Sequence, residues 1–416
     1  MFMRGFFQER KLRTTPLYAN RSAQATILAL LIVLCSLSSA FAQQQKTVRA
    51  EREAYNVVAG TQAIGGSYQF TNTPMLVEAA HAILALGSNT IKFTLAPDKS
   101  EPLKPHSLTE TARNASSVNA VLKLPFRYYL LWVYPVSTEA NRFHPDSLPN
   151  EYREIYDLTC YLLQFYNKTG KTFYLGNWEG DWHLTHTNPD YVPTEEEVHN
   201  MIAWVNIRQK AVDAAKRDTG HQNVQVYYYL EVNRVADAME GKVRLTNAVL
   251  PYTPVDFVSY SAYDAINDDT GIHLIRSLDY IASKLPPKNG IPGKRVFVGE
   301  YGFPARLYTP QEQNARSIRV LRTALEWGCP FVLYWELYNN EVQDGKQVGF
   351  WMIDDHQVKQ PIYDTHRRFY LWAQRYLTNF EQQQRRLPTR AEFGKAAVAW
   401  LDQTAVRSSN RNTVPH

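Results

Sequence analysis

Eight short β-rich runs, each followed by a helical or irregular stretch, limit most what this chain can fold into. They lie at 56–62, 90–95, 127–134, 172–177, 224–231, 255–260, 295–300 and 331–336. Most are dense in Val, Ile, Phe and Tyr with little alternation, which is how parallel strands buried on both faces read. Helical spacing fills several gaps. Met75, Leu76, Ala79, Ala82, Ile83 and Leu86 recur along 73–86 at intervals of three and four. Further helices are predicted at 150–166, 194–217, 272–285, 310–327 and 362–377. Thr194 and Thr309 each precede an acidic first turn, a helix start signal. Strands alternating with helices pair in parallel through right-handed crossovers, and eight strands close a barrel. An open doubly wound sheet would carry a phosphate-binding glycine fingerprint after its first strand. Gly60, Gly65 and Gly66 lack that spacing. The expected fold is therefore α/β, a (β/α)8 TIM barrel over residues 54–379.

The ends of the chain read differently. Arg4, Arg10, Lys11, Arg13 and Arg21 precede an apolar run at 25–37 and then Ala40-Phe41-Ala42. A basic segment, an apolar segment and an A-x-A site together read as a signal peptide over 1–42, with a mature start at Gln43 and a linker over 43–53. This predicts a secreted or periplasmic protein with no stable membrane association once cleaved; a retained membrane anchor is the alternative. Residues 380–416 read as an appended tail, with one short helix at 391–401 and a disordered end from 407. Segments 96–118 and 234–250 show no pattern and are read as loops.

Composition narrows the function. Apolar residues make up 44% and charged residues 20%, as in a globular domain, and the net charge of +5 is spread along the chain. No basic stripe is interleaved with aromatics, so nucleic acid is not an expected partner. Cys35 falls in the signal segment; Cys160 and Cys329 lie in apolar elements, which leaves a disulfide between them open but rules out a disulfide scaffold. The 26 Tyr and 9 Trp cluster near strand ends. Such rings suit the flat apolar faces of sugars, although many aromatic side chains simply fill cores.

In barrels of this type, chemistry sits at the carboxyl ends of strands. Strand four runs into Asn177-Trp178-Glu179-Gly180-Asp181-Trp182, strand seven into Gly299-Glu300-Tyr301-Gly302, and strand eight into Trp335-Glu336. Each places a carboxylate among aromatics, and a buried Glu is costly unless paired or functional. Two carboxylates facing one cleft suit glycoside hydrolysis, one protonated to release the leaving oxygen and one ionised to attack the anomeric carbon. Aromatic surroundings would raise the acid's pKa by desolvation.

On these motifs the chain resembles the clan A glycoside hydrolases over roughly residues 54–376. Val298-Gly299-Glu300-Tyr301-Gly302 resembles the nucleophile strand and Asn177-Trp178-Glu179 the acid/base strand, except that Trp178 intervenes where the clan has Asn directly before Glu. If strand four persists, Asn177 and Glu179 share a face. Tyr263 matches a tyrosine after strand six, with Ser261 in place of the usual histidine; Trp335 matches a tryptophan at strand eight; Lys92 stands where many members have Arg. The resemblance implies a retaining hydrolase of a β-linked oligo- or polysaccharide, with Glu179 as acid/base and Glu300 as nucleophile. Asn177, Trp178, Trp182, Tyr263, Trp335, Glu231, Glu336 and Lys92 are the expected sugar contacts, with no cofactor. Glu231 also fits a core ion pair. The alternatives are a non-catalytic carbohydrate-binding barrel and a metal-dependent hydrolase. The latter would be built on the run Glu179, Asp181, His183, His186, for which no completing ligand is evident and no metal is expected.

Overall fold

The structure, a computed structural model, describes residues 51–411, so the expected signal segment and most of the linker lie outside it. The described residues from Ala54 onward form one compact unit. Its centre is a closed barrel of eight parallel strands: β1 (Ala59–Gln62), β2 (Thr90–Thr94), β3 (Tyr128–Trp132), β4 (Thr172–Gly176), β5 (Gln225–Val232), β6 (Phe257–Ser261), β7 (Val296–Tyr301) and β8 (Val332–Tyr334). Each strand pairs with the next in sequence, and β8 closes on β1 through Ala59↔Val332 and Thr61↔Tyr334. This is the expected (β/α)8 barrel.

All eight strands depart from their expected bounds by one to three residues at an end, and at β1 and β4 the local reason is plain. β1 starts at Ala59 because Asn56 and Val58 form a turn instead: the Asn56 side chain accepts from the Val58 N–H at 2.8 Å and donates to Pro330 O, and Val58 has φ 73°. β4 stops at Gly176, three residues short of Glu179. Gly176 itself is needed for packing, since a side chain there would collide with the Tyr229 ring.

Around the barrel run α1 (Met75–Leu86), α2 (Leu108–Asn114), α3 (Ser116–Lys123), α4 (Leu148–Phe165), α5 (Gly180–Leu184), α6 (Glu195–Asp218), α7 (Val235–Met239), α8 (Ile272–Lys284), α9 (Pro310–Trp327), α10 (Pro361–Gln384) and α11 (Arg390–Arg411). Thr194 and Thr309 cap α6 and α9 with complete capping boxes. The segments read as loops carry structure: α2 and α3 replace much of 96–118, and α7 and two short helical turns occupy 234–252. The tail also differs from expectation. Its helix spans Arg390–Arg411, and Phe393, Ala397 and Leu401 recur every four residues and are buried. Trp400 stacks on Trp372 of α10 at 5.6 Å, and Arg322 of α9 bonds Asp402. Cys160 and Cys329 are free thiols.

Inside the barrel a plug of Leu130, Tyr174, Tyr229, Phe257, Phe297, Phe331 and Leu333 fills the space beneath the carboxyl ends of the strands. A large packed aromatic core of this kind leaves the loops to form the site above a rigid floor.

Candidate active site

A cleft of about 680 Å³ opens at the carboxyl ends of the strands. Its walls include Glu179 and Glu300, with Trp132, Trp178, Trp182, Tyr263, Trp335 and Phe350 supplying the aromatic surface. Trp132 and Trp335 lie 6.1 Å apart, tilted by 35°, and Trp178 packs edge-on 6.5 Å from Trp132, so three neighbouring indoles line one apolar wall.

Glu300 leaves the end of β7 and is 2% exposed. Its Oε1 accepts from Lys92 Nζ of β2 at 3.0 Å. The same ammonium donates to Glu231 Oε2 of β5 at 2.8 Å and to Gly299 O at 3.2 Å. Ser259 of β6 donates to Glu231 Oε2 at 2.7 Å. Gly299 permits this arrangement, because a Cβ there would occupy the position of the Ser259 hydroxyl. Burial pushes the Glu300 carboxyl well above the usual range; Lys92 opposes that rise, while Glu231 and Glu179 add to it. Lys92 itself is held above its ordinary value by Glu231 and Glu300 against the cost of its burial.

Glu179 arrives by a different route. It precedes α5 with φ 20° and ψ 72°, a turn that aims its carboxyl into the cleft. Its N–H donates to Glu231 Oε1 at 3.1 Å and its Oε2 accepts from Asn233 Nδ2 at 3.4 Å. The Ser261 hydroxyl bonds Glu179 Oε1 and lies 3.4 Å from Glu300 Oε2. Two oxygens sharing one hydroxyl partner lie within about 6 Å of each other. Burial pushes Glu179 up to about 7, with the Ser261 hydrogen bond pulling down and Glu231 pushing up.

Of the residues expected to touch sugar, Trp178, Trp182, Tyr263 and Trp335 line the cleft. Lys92, Asn177, Glu231 and Glu336 are fully buried behind its wall. The persistence of strand four past Asn177 does not hold. The Asn177 amide instead ties β4 to β5, accepting from the Glu231 N–H at 3.3 Å and donating toward Glu231 O. Glu231 is the ion-pair partner of Lys92, and Glu336 Oε2 accepts from the Ile64 N–H at 3.2 Å. The run considered for metal binding diverges. Asp181 is buried and accepts from the backbone N–H groups of Asn233 and Leu245. His183, held down to about 4 by burial, meets Tyr134, while His186 pairs with Glu197 at the surface.

The structure adds wall residues that sequence reasoning did not assign: Trp132, Asn233, Arg234, Ser261, Asp264 and Phe350. Ser261 stood at a position already compared with the clan, and Trp132 and Asn233 sit at or just past strand ends, so strand position was the usable signal. Phe350 comes from the irregular segment after β8, where no periodicity marks it.

No family model matches the chain, and no curated protein matches it. Solved structures do. A GH5_18 protein variant from Streptomyces cattleya, in complex with Manb1-4GlcNAc, is 13% identical with a TM-score of 0.53, over 77% of this chain and 81% of that one. A GH5_18 protein from Bifidobacterium longum subsp. infantis is 14% identical with a TM-score of 0.53, over 76% and 78%. An exo-beta-1,4-mannosidase from Opitutaceae bacterium strain TAV5 is 13% identical with a TM-score of 0.51, over 77% and 60%. The likeness is one of architecture: the chain shares the (β/α)8 barrel of clan A glycoside hydrolases.

Proposed function

We propose that the chain is a secreted, retaining β-glycoside hydrolase in which Glu179 is the acid/base and Glu300 the nucleophile. One observation carries this reading: two buried carboxyls, one in the turn after β4 and one at the end of β7, share one hydroxyl partner inside an aromatic cleft. Retaining enzymes hold the pair about 5–5.5 Å apart and inverting enzymes about 6.5–9.5 Å. The reach of a single hydroxyl favours the first. The N-terminal basic, apolar and A-x-A segments support secretion.

Charge placement separates the two roles. Three buried carboxyls, Glu179, Glu231 and Glu300, face one buried ammonium, Lys92. Lys92 touches Glu231 and Glu300 but not Glu179. A proton on Glu179 leaves both direct partners of Lys92 charged. A proton on Glu300 would leave Glu179 charged without a cation in contact, which costs more in a low-dielectric site. Glu179 therefore protonates the leaving oxygen while Glu300 forms the C1–O bond, and the ionised Glu179 then takes a proton from water as the glycosyl ester opens.

The indole face of Trp132, Trp178 and Trp335 suits pyranose stacking, so the substrate is an oligo- or polysaccharide. β-Mannosides head the list to test, because two of the structural neighbours are described with a β-mannosidic ligand or activity. The test is turnover of a panel of aryl β-glycosides by the mature protein, with Glu300→Gln as control. At least one glycoside is turned over, and the control loses at least about 10³-fold. Undiminished turnover by both Glu179→Gln and Glu300→Gln would reject the assignment. Glycan binding without turnover would point to a carbohydrate-binding barrel.

A further inference from the structure

The side chain of Ser261 is fully buried, and its hydroxyl reaches both carboxyls of the pair. It gets there through an irregularity between β6 and β7. Tyr260 pairs with Val298, but Ser261 pairs with Glu300, so Gly299 is skipped. A bulge of this kind re-aims a side chain next to a site. Glu300 is then divided between two partners, Oε1 with Lys92 and Oε2 with Ser261.

A serine hydroxyl has one proton and can donate to one carboxylate at a time. On the reading that Glu179 and Glu300 are acid/base and nucleophile, we propose that Ser261 is a positioning residue whose hydroxyl turns between them, donating to whichever is charged. In the resting site, protonated Glu179 donates a hydrogen bond to Ser261 Oγ, and the Ser261 O–H donates a hydrogen bond to Glu300 Oε2. Glu179 then gives its proton to the leaving oxygen as the C1–O bond breaks, and Glu300 Oε2 bonds C1. Glu300 is now a neutral ester and Glu179 an anion, so the Ser261 O–H rotates to Glu179. In the second step water bonds C1, its proton goes to Glu179, and the Glu300 ester bond breaks. The charge returns to Glu300 and the hydroxyl turns back. Ser261 keeps its own proton throughout.

The other titratable groups that interact with this trio are Lys92 from β2, Tyr229 and Glu231 from β5, and Tyr263 after β6; Glu336 and Glu341 after β8 act on Tyr263. Among the described residues, none of these groups hydrogen-bonds both carboxyls. Lys92 stays beside Glu300 in either state and Glu231 stays beside Lys92, so the hydroxyl is the group free to follow the charge.

The consequence is specific to the second step. In the glycosyl-enzyme, Ser261 stabilises ionised Glu179, so its loss raises the pH at which Glu179 becomes a competent base. The experiment uses the 2,4-dinitrophenyl β-glycoside from the panel that the wild type turns over fastest, since its activated leaving group makes kcat report deglycosylation. The acid limb of kcat against pH moves up by about one pH unit in Ser261→Ala. Ser261→Thr, which restores a hydroxyl, returns it toward the wild-type position. Should Ser261→Ala fail to fold by circular dichroism, Ser261→Cys supplies a weaker donor and gives a smaller shift in the same direction. An acid limb that stays put in a folded Ala or Cys variant of an active enzyme overturns the role of Ser261 alone. A wild type inactive on the whole panel overturns the glycosidase reading beneath it.

Discussion

At the scale of single residues, Glu179 and Glu300 have similar burial and different company. Lys92 sits against Glu300, while Glu179 has Ser261, Asn233 and the Glu231 carboxylate nearby. Because burial lifts Glu179 to about 7, and the first step needs it protonated, kcat/KM falls as pH rises through about 7. A kcat/KM profile flat from pH 6 to 9 would contradict this. Glu179→Gln lowers turnover by about 10²–10⁴-fold on glycosides with poor leaving groups and much less on dinitrophenyl glycosides, which need little proton donation. Lys92→Met leaves Glu231 and Glu300 buried without a cation and destabilises the fold by about 3–5 kcal/mol in urea unfolding. Glu300 was readable from the sequence because a Val-rich strand delivers it straight to the barrel mouth. Asn177 was not: its placement depends on a turn with φ 20° at Glu179 that no local residue pattern announces. The burial of Lys92 and Glu231 depends on strands more than a hundred residues apart meeting inside the barrel.

At the scale of elements, the legible parts were those with strong local signals. The Thr194 and Thr309 boxes start α6 and α9 as read, and Thr309→Ala lowers stability by about 1 kcal/mol in thermal or urea unfolding. The α2 start has a comparable cap, in which Ser107 accepts from the Glu110 N–H three residues on. The tail helix is longer than its local pattern indicates because polar residues surround a sparse apolar set. Phe393, Ala397 and Leu401 gain meaning only once α9 and α10 present a surface for them. Phe393 packs against Tyr55, Phe369 and Trp372, joining the tail to the beginning of the barrel. Phe393→Ala therefore costs about 3–5 kcal/mol, measured by denaturant unfolding, whereas an appended tail would lose almost nothing.

At the scale of the whole molecule, a rigid barrel holds ionisable groups in a site that its own burial disfavours, and this links catalysis to stability. A carboxyl at about 7 in the fold, against an ordinary value of 4.5, binds its proton more tightly when folded. Its stabilising share is complete below about 4.5 and is lost as pH rises through about 7. Buried His183 and His366, held near 4 and 3, act in the opposite direction over part of that range. Comparing Glu179→Gln with the wild type isolates the carboxyl: the variant gains up to about 3 kcal/mol relative to wild type between pH 5 and pH 8. The eight parallel strands were visible in the sequence because most of them are short continuous runs rich in Val, Leu, Phe and Tyr. The cleft was less so, because its walls come from turns between strands. The assignment of Glu300 as the nucleophile that carries the glycosyl group is tested most directly by trapping that intermediate. Incubation with an activated 2-deoxy-2-fluoro β-glycoside, followed by peptide mass mapping, places one sugar on Glu300. A label on Glu179 or Glu231, or hydrolysis of the active substrate with inverted anomeric configuration, would contradict the account.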